Sequence, residues 1–242
     1  MGEYLHALFF LFLMLSGGTD SKTSVARLEA RYRAAKTLQA SFLERYTENG
    51  RLVRTEAGTA YFRRPGKMRW DYQAPEKNVF LVDGKMAWFY VPADHTVTRV
   101  PAKQSSDWRT PLALLTGDMK LSRVCARVLA ATDEKPEAPE HAMLYCELRG
   151  AGSKSPKESS GAAPSQKPLN SESEAVFLEV DTGSGDLVRV LVRDPGGIAI
   201  EFHFANWQMD PPVADSLFRF EAPKGVAIVN GELPLGDSPV KH

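Results

Sequence analysis

The 242 residues suffice for one domain with extensions, and 30 Lys and Arg against 30 Asp and Glu leave no net charge. That balance argues against nucleic acid as the main partner. The five histidines (His6, His95, His141, His203 and His242) show no metal spacing and no pairing with a Cys or Ser motif, and phosphate-cradling glycine loops are missing. No catalysis, metal or cofactor is expected.

Leu5 to Leu15 form an apolar run too short to span a bilayer and suited to the core of a signal peptide. Ser16-Gly17-Gly18 supplies small residues for cleavage after Gly18, although no Lys or Arg precedes the run. The absence of Cys here argues against a lipid anchor. Residues 1–18 are read as a cleaved signal peptide and residues 19–242 as one exported domain; a retained membrane-surface segment is the alternative. From Ser24, a fitting N-cap, Val25, Leu28, Tyr32, Ala35 and Leu38 recur every three or four residues and predict a helix.

Gln39 to Thr47 and Arg51 to Phe62 read as an antiparallel pair turning at Glu48-Asn49-Gly50, with Gly58 marking a bulge or bend. In the next strand Met68, Trp70 and Tyr72 alternate with Lys67, Arg69 and Asp71, the period of a half-buried strand. Asn78 to Val82 and Met86 to Val91 flank Asp83-Gly84, a strong hairpin signal. Trp70, Tyr72, Phe80, Trp88 and Tyr90 are assigned to one apolar face. That face is either an ordinary sheet core or the lining of a cavity for something greasy.

Arg63 and Arg64 face opposite ways on a strand, so one of them shares the face of Met68 and Trp70. A two-residue Pro65-Gly66 loop pairs Arg64 with Lys67 and puts Arg63 on that face. A three-residue loop pairs Arg64 with Met68 and puts Arg64 there. Pro-Gly favours a type II turn, which splays a two-residue hairpin, so the longer loop and Arg64 are expected.

Thr96 to Val100 is a further strand. Gln104 to Thr116, broken by Pro111 and closed by Gly117, reads as short helical turns carrying Leu112, Leu114 and Leu115. A lid and a buried connecting helix read identically there. Met119 to Ala130 and Ala142 to Leu148 form a hairpin about a loop at 131–140, and Cys125 and Cys146 lie equally far from its centre. A cross-strand disulfide and two separate buried thiols are both consistent with that placement. Residues 150–174, rich in Ser, Pro, Gly and Lys, are read as a disordered insert. Val176 to Val180, Leu187 to Arg193 and Ile198 to Trp207 are the last long strands, with Ile198, Ile200, Phe202 and Phe204 on one face. Asp215 to Phe218 reads as a helical turn, Phe218 to Phe220 as a strand, and the tail after Asn230 as frayed.

Arg64-Pro65, Trp70-Asp71-Tyr72, Pro75, Val82-Asp83-Gly84-Lys85 and Trp88-Phe89-Tyr90 together resemble the core motif of the outer-membrane lipoprotein carrier (LolA) family. Thr110-Pro111-Leu112-Ala113-Leu114-Leu115 sits where that family has its lid segment, and Phe218 to Val226 is similar to its C-terminal signature. The ordered set runs from about residue 24 to residue 228. The resemblance implies a mainly β (α+β) fold: a curved antiparallel sheet forming an incomplete β-barrel, covered by the N-terminal helix and a short helical lid. It implies a monomeric periplasmic chaperone that shuttles lipoproteins from the inner to the outer membrane with their acyl chains in a hydrophobic cavity. Arg64 would be the lid latch, bonding lid carbonyls when the cavity is empty; a guanidinium suits that role because it offers five donors and keeps its charge. The cavity residues expected are Phe42, Met68, Trp70, Tyr72, Phe80, Trp88, Leu112, Leu115, Ile200 and Phe202. Implied partners are acylated lipoproteins, an inner-membrane ABC-type release complex and an outer-membrane lipoprotein acceptor. The alternative is a lipid- or lipoprotein-sensing regulatory domain of the same fold.

Overall fold

The computed structural model describes residues 20–104, 112, 115–117, 120–149, 174–231 and 233. The expected signal peptide, the insert and most of the expected lid, including Trp108, Pro111 and Leu114, lie outside these residues. In chain order come α1 (Ser21–Arg33), β1 (Thr37–Glu48), β2 (Arg51–Arg63), β3 (Lys67–Ala74), β4 (Val79–Val82), β5 (Met86–Val91) and β6 (Thr96–Pro101). A 3-10 turn (Ala102–Gln104), α2 (Leu121–Val124), β7 (Cys125–Ala130), β8 (His141–Leu148), β9 (Ala175–Asp181), β10 (Leu187–Arg193) and β11 (Ile198–Met209) follow. A 3-10 turn (Asp215–Phe218) and β12 (Ala227–Asn230) complete the set.

The strands form one 12-stranded sheet in the order β12-β6-β5-β4-β3-β2-β1-β11-β10-β9-β8-β7, with β12 and β7 as its two edges. The sheet is therefore open. Its meanders are antiparallel, and only β12, joining β6, runs parallel. Alternation decides the faces. Leu38, Ala40, Phe42 and Tyr46 of β1, Ala60 and Phe62 of β2, and Met68, Trp70 and Tyr72 of β3 are all buried in one apolar cluster with Val190, Val192, Ile200, Phe202 and Phe204. That cluster marks the concave side, and Leu28 and Tyr32 of α1 are buried in it.

Two segments cover the opposite side. Residues 131–140 lie over β8–β11, where Glu137 N donates to Glu179 at 2.8 Å and Arg189 donates to the Lys135 carbonyl at 2.8 Å. Glu179 is fully buried against Arg189 at 2.7 Å. The chain after β11 crosses β2 and β3: Arg63 bonds Asp215 and the Val213 carbonyl, and its guanidinium lies over the Phe218 ring.

Several boundaries differ from the expectations. Asp20, not Ser24, caps α1, and the helix stops at Arg33 because Leu38 already belongs to β1. Asp210 accepts from the amides of Lys36 and Thr37 and fixes that turn; these bonds hold its carboxyl below the usual range. Residues Leu121–Val124 form a helical turn rather than the start of a strand. Phe218 to Phe220 is not a strand: the ladder there belongs to β12, seven residues on.

Cys125 and Cys146 are joined by a disulfide with 5.3 Å between their Cα atoms. They are not direct ladder partners, because a register shift pairs Cys125 with Leu148 and Val128 with Cys146.

Candidate functional site

The concave face is built by strand parity. Trp70 is fully buried and meets Phe42 at a centroid distance of 4.8 Å, Phe62 at 5.7 Å and Phe202 at 5.1 Å. Tyr72 also meets Phe42, edge-on at 5.1 Å. Gly58 makes this packing feasible. A Cβ there would stand 2.0 Å from the Asp71 carbonyl oxygen and 2.9 Å from Phe42 Cε1, so β2, β3 and the Phe42 ring approach as they do only because this residue has no side chain.

Phe42, Met68, Trp70, Tyr72, Phe80, Ile200 and Phe202 all lie in this cluster, and Leu112 and Leu115 of the expected lid are buried in it as well. The structure thus brings nine of the ten expected cavity residues together. Trp88 is the exception. The register pairs Trp70 with Phe80, Phe80 with Phe89, and Leu81 with Trp88, so Phe89 faces the cluster and Trp88 faces out. There its indole donates to Asp83 at 3.0 Å and stacks on Phe220 at 5.1 Å. Tyr90 shares that outer face and also meets Phe220, at 5.7 Å. The assumption that one meander keeps all its aromatics on one side fails because Asp83-Gly84 shifts the parity by one.

Arg64 lies at the rim of the concave side. Its loop is three residues long, yet the pairing is Phe62 with Met68 and Arg63 with Lys67, not Arg64 with Met68. Arg64 falls in the loop itself. Counting from buried Phe62, Arg63 points out and Arg64 returns to the concave side, so the expected face is reached by a different register. Its guanidinium donates to the carbonyls of Arg33 at 2.7 Å and Tyr32 at 2.8 Å, at the C-terminal end of α1. Such carbonyls lack intrahelical partners, and a cation suits the negative end of the helix dipole. The same loop meets the end of the expected lid, where Gly66 N donates to the Thr116 carbonyl at 3.0 Å.

Sequence reasoning missed Tyr32 and Trp207 as a second anchor of α1. The Tyr32 hydroxyl accepts from Leu187 N at 2.9 Å, and burial raises its pKa. The Trp207 indole donates to the Leu187 carbonyl at 2.9 Å and lies edge-on to Tyr32 at 5.0 Å. Strict alternation from Phe202 and Phe204 would put position 206 inward. Between the pairs Gln39–Gln208 and Ser41–Ala205, however, β11 has one residue more than β1, and Asn206 takes φ 56°. This bulge turns Trp207 to the core. Asn in a run of strand formers was the available signal.

Two hollows outlined by described residues, of about 410 and 530 Å³, lie off the concave side, beside Arg189 and Glu201 and beside Tyr61 and Arg69.

Residues 33–136 match the family model described as outer membrane lipoprotein carrier protein LolA. The chain is LolA-like. Over 224 residues it is 27% identical to an outer-membrane lipoprotein carrier protein of Nitrosospira multiformis, covering 91% of this chain and 95% of that one. The corresponding protein of Methylococcus capsulatus is 28% identical over 209 residues, covering 85% of this chain and 87% of its own. A LolA superfamily protein of Nitrosomonas europaea, known from a crystal structure, superposes on 83% of this chain and 98% of its own length with a TM-score of 0.41 at 9% identity. The LolA-like motif read at Arg64-Pro65 through Tyr90 falls inside the matched segment, and the relatives carry the likeness well past it.

Proposed function

We propose that this chain is a periplasmic carrier that shields the acyl chains of lipoproteins and shuttles them from the inner to the outer membrane. The observation that carries this reading is the ring-lined concave face of an open sheet, roofed by α1 and by Leu112 and Leu115, in a chain whose whole-length relatives bear the carrier name. Each acyl CH₂ left in water costs about 0.8 kcal/mol, so one 16-carbon chain costs roughly 12 kcal/mol. A lipoprotein crossing an aqueous compartment therefore needs a shield, and delivery needs one that lets go.

On this reading the packed rings represent the closed form of the carrier. Trp70 is in contact with Phe42, Phe62 and Phe202, so acyl chains enter as these rings and the helical roof separate. Arg64 is the latch of that closed form, through the carbonyls at the end of α1. Residues 1–18 direct export and are removed. Cargo is loaded by an inner-membrane ABC-type complex, which supplies the energy, and is handed to an outer-membrane acceptor. The carrier performs no chemistry of its own.

The test is to incubate the purified protein with vesicles bearing an acylated lipoprotein and its release complex, then separate soluble from membrane fractions. The reading expects the lipoprotein in the soluble fraction, co-eluting with this chain. Lipoprotein that stays with the vesicles at every carrier concentration would overturn it.

A further inference from the structure

The histidines show no metal spacing along the chain, yet β11 and the segment lying over it bring a possible ligand set together. Glu201 and His203 stand two apart on β11 and share its outer face, while Ile200, Phe202 and Phe204 point into the concave cluster. Residues 131–140 cross that outer face. Glu137 comes down onto it from a backbone fixed by the 2.8 Å bond from its own N to Glu179. Among the described residues, these three form a cluster in which one ligand atom of each lies within 4.8 Å of the other two.

His203 holds the centre. Its Nδ1 is 3.6 Å from Glu137 Oε2, and its Nε2 is 3.4 Å from Glu201 Oε1. Charge-assisted hydrogen bonds of this kind run to about 2.8 Å, so both separations are long for one. Nε2 is buried and has no hydrogen-bond partner. The same spacing suits two ligands of one metal ion, because zinc bonds of about 2.1 Å set tetrahedral ligands roughly 3.4 Å apart. Glu201 is already aimed: Arg189 donates to its Oε1 at 2.8 Å, and Arg45 lies 3.4 Å from its Oε2. The Arg189 charge is itself matched by Glu179 at 2.7 Å and Glu134 at 3.2 Å. It therefore orients Glu201, as an outer hydrogen-bond partner orients a ligating carboxylate, rather than barring a cation.

We propose that Glu137, Glu201 and His203 bind one zinc ion on the outer face and so clamp residues 131–140 to β11. An imidazole favours a transition ion over magnesium or calcium, and three protein ligands leave a fourth position for water. Glu137 is the exposed member of the set, so its side chain makes the final adjustment on binding. The site stands apart from the concave face and does not depend on the carrier reading.

The experiment titrates zinc chloride into the untagged, chelator-treated protein at neutral pH by calorimetry, with magnesium chloride in parallel. One zinc per chain is expected, together with a higher thermal midpoint in its presence. His203→Gln and Glu137→Gln should each weaken zinc binding about tenfold or more. Glu137→Gln alters an exposed side chain and keeps the backbone bond to Glu179, so it folds as the parent does even where His203→Gln does not. His95→Gln, in the turn between β5 and β6, should bind zinc as the parent does. No zinc uptake by the parent overturns the site. So does zinc bound equally well by Glu137→Gln, or magnesium taken up as tightly as zinc.

Discussion

Arg64 reaches from the loop between β2 and β3 to the Tyr32 carbonyl at 2.8 Å, and the neighbouring Arg33 carbonyl takes its other nitrogen. The residue before the Pro-Gly turn thus ties the last turn of α1 to the rim of the sheet. Tyr32 is tied a second time through its hydroxyl and Leu187. Arg64 and Tyr32 therefore hold one helix end from two sides.

Arg64→Leu should leave the sheet intact and loosen that helix end. Two charge-assisted bonds are lost, worth about 2 kcal/mol together once solvent is counted. Hydrogen exchange should rise in α1 and not in β1 or β3, and cargo release should change. Unchanged exchange in α1 would show that the Tyr32–Leu187 bond suffices alone.

Gly58→Ala should be far costlier than a usual strand Gly→Ala change. The added methyl meets the Asp71 carbonyl carbon and oxygen, which are backbone, so β2 and β3 must move apart. A loss of about 2 kcal/mol or more in urea unfolding is expected.

Removing the disulfide with Cys125→Ser and Cys146→Ser should cost about 3 kcal/mol, given the 21-residue separation of the two cysteines. The double variant should show a lower midpoint in urea with β7 and β8 exchanging first, because β7 is an edge strand with one ladder partner.

The fold should weaken in acid through Glu201. Its close contact with His203 at 3.4 Å, backed by Arg189 and opposed by burial, lowers its pKa from 4.5 to about 2. A depressed folded pKa stabilises above the unfolded value and stops doing so as pH falls through the folded one. Stability should therefore decline from about pH 4.5 towards pH 2. Glu201→Gln should show a shallower decline in urea titrations at stepped pH.

Most strands were legible because alternation and turn chemistry agree: Met68, Trp70 and Tyr72 keep their period, and Asp83-Gly84 turns where it should. What alternation cannot carry is a change of parity. The hairpin at Asp83-Gly84 sends Trp88 outward, the bulge at Asn206 sends Trp207 inward, and the Arg64 loop reaches the expected face by another register. Each depends on where one extra residue falls, which pairing across strands fixes and local sequence does not. Glu44 was illegible for a different reason. A charged residue on a strand reads as solvent-facing, and only its ladder position beside Phe202 reveals that it lies inside.

As proposed above, this chain holds acyl chains in a fold that keeps them from water. Native mass spectrometry of the protein purified without detergent from the bacterium that makes it tests this directly. A population heavier by the mass of one acylated lipoprotein, lost when the acyl groups are removed enzymatically, is the predicted result. A spectrum showing only the bare chain under conditions that preserve known lipoprotein complexes would contradict it.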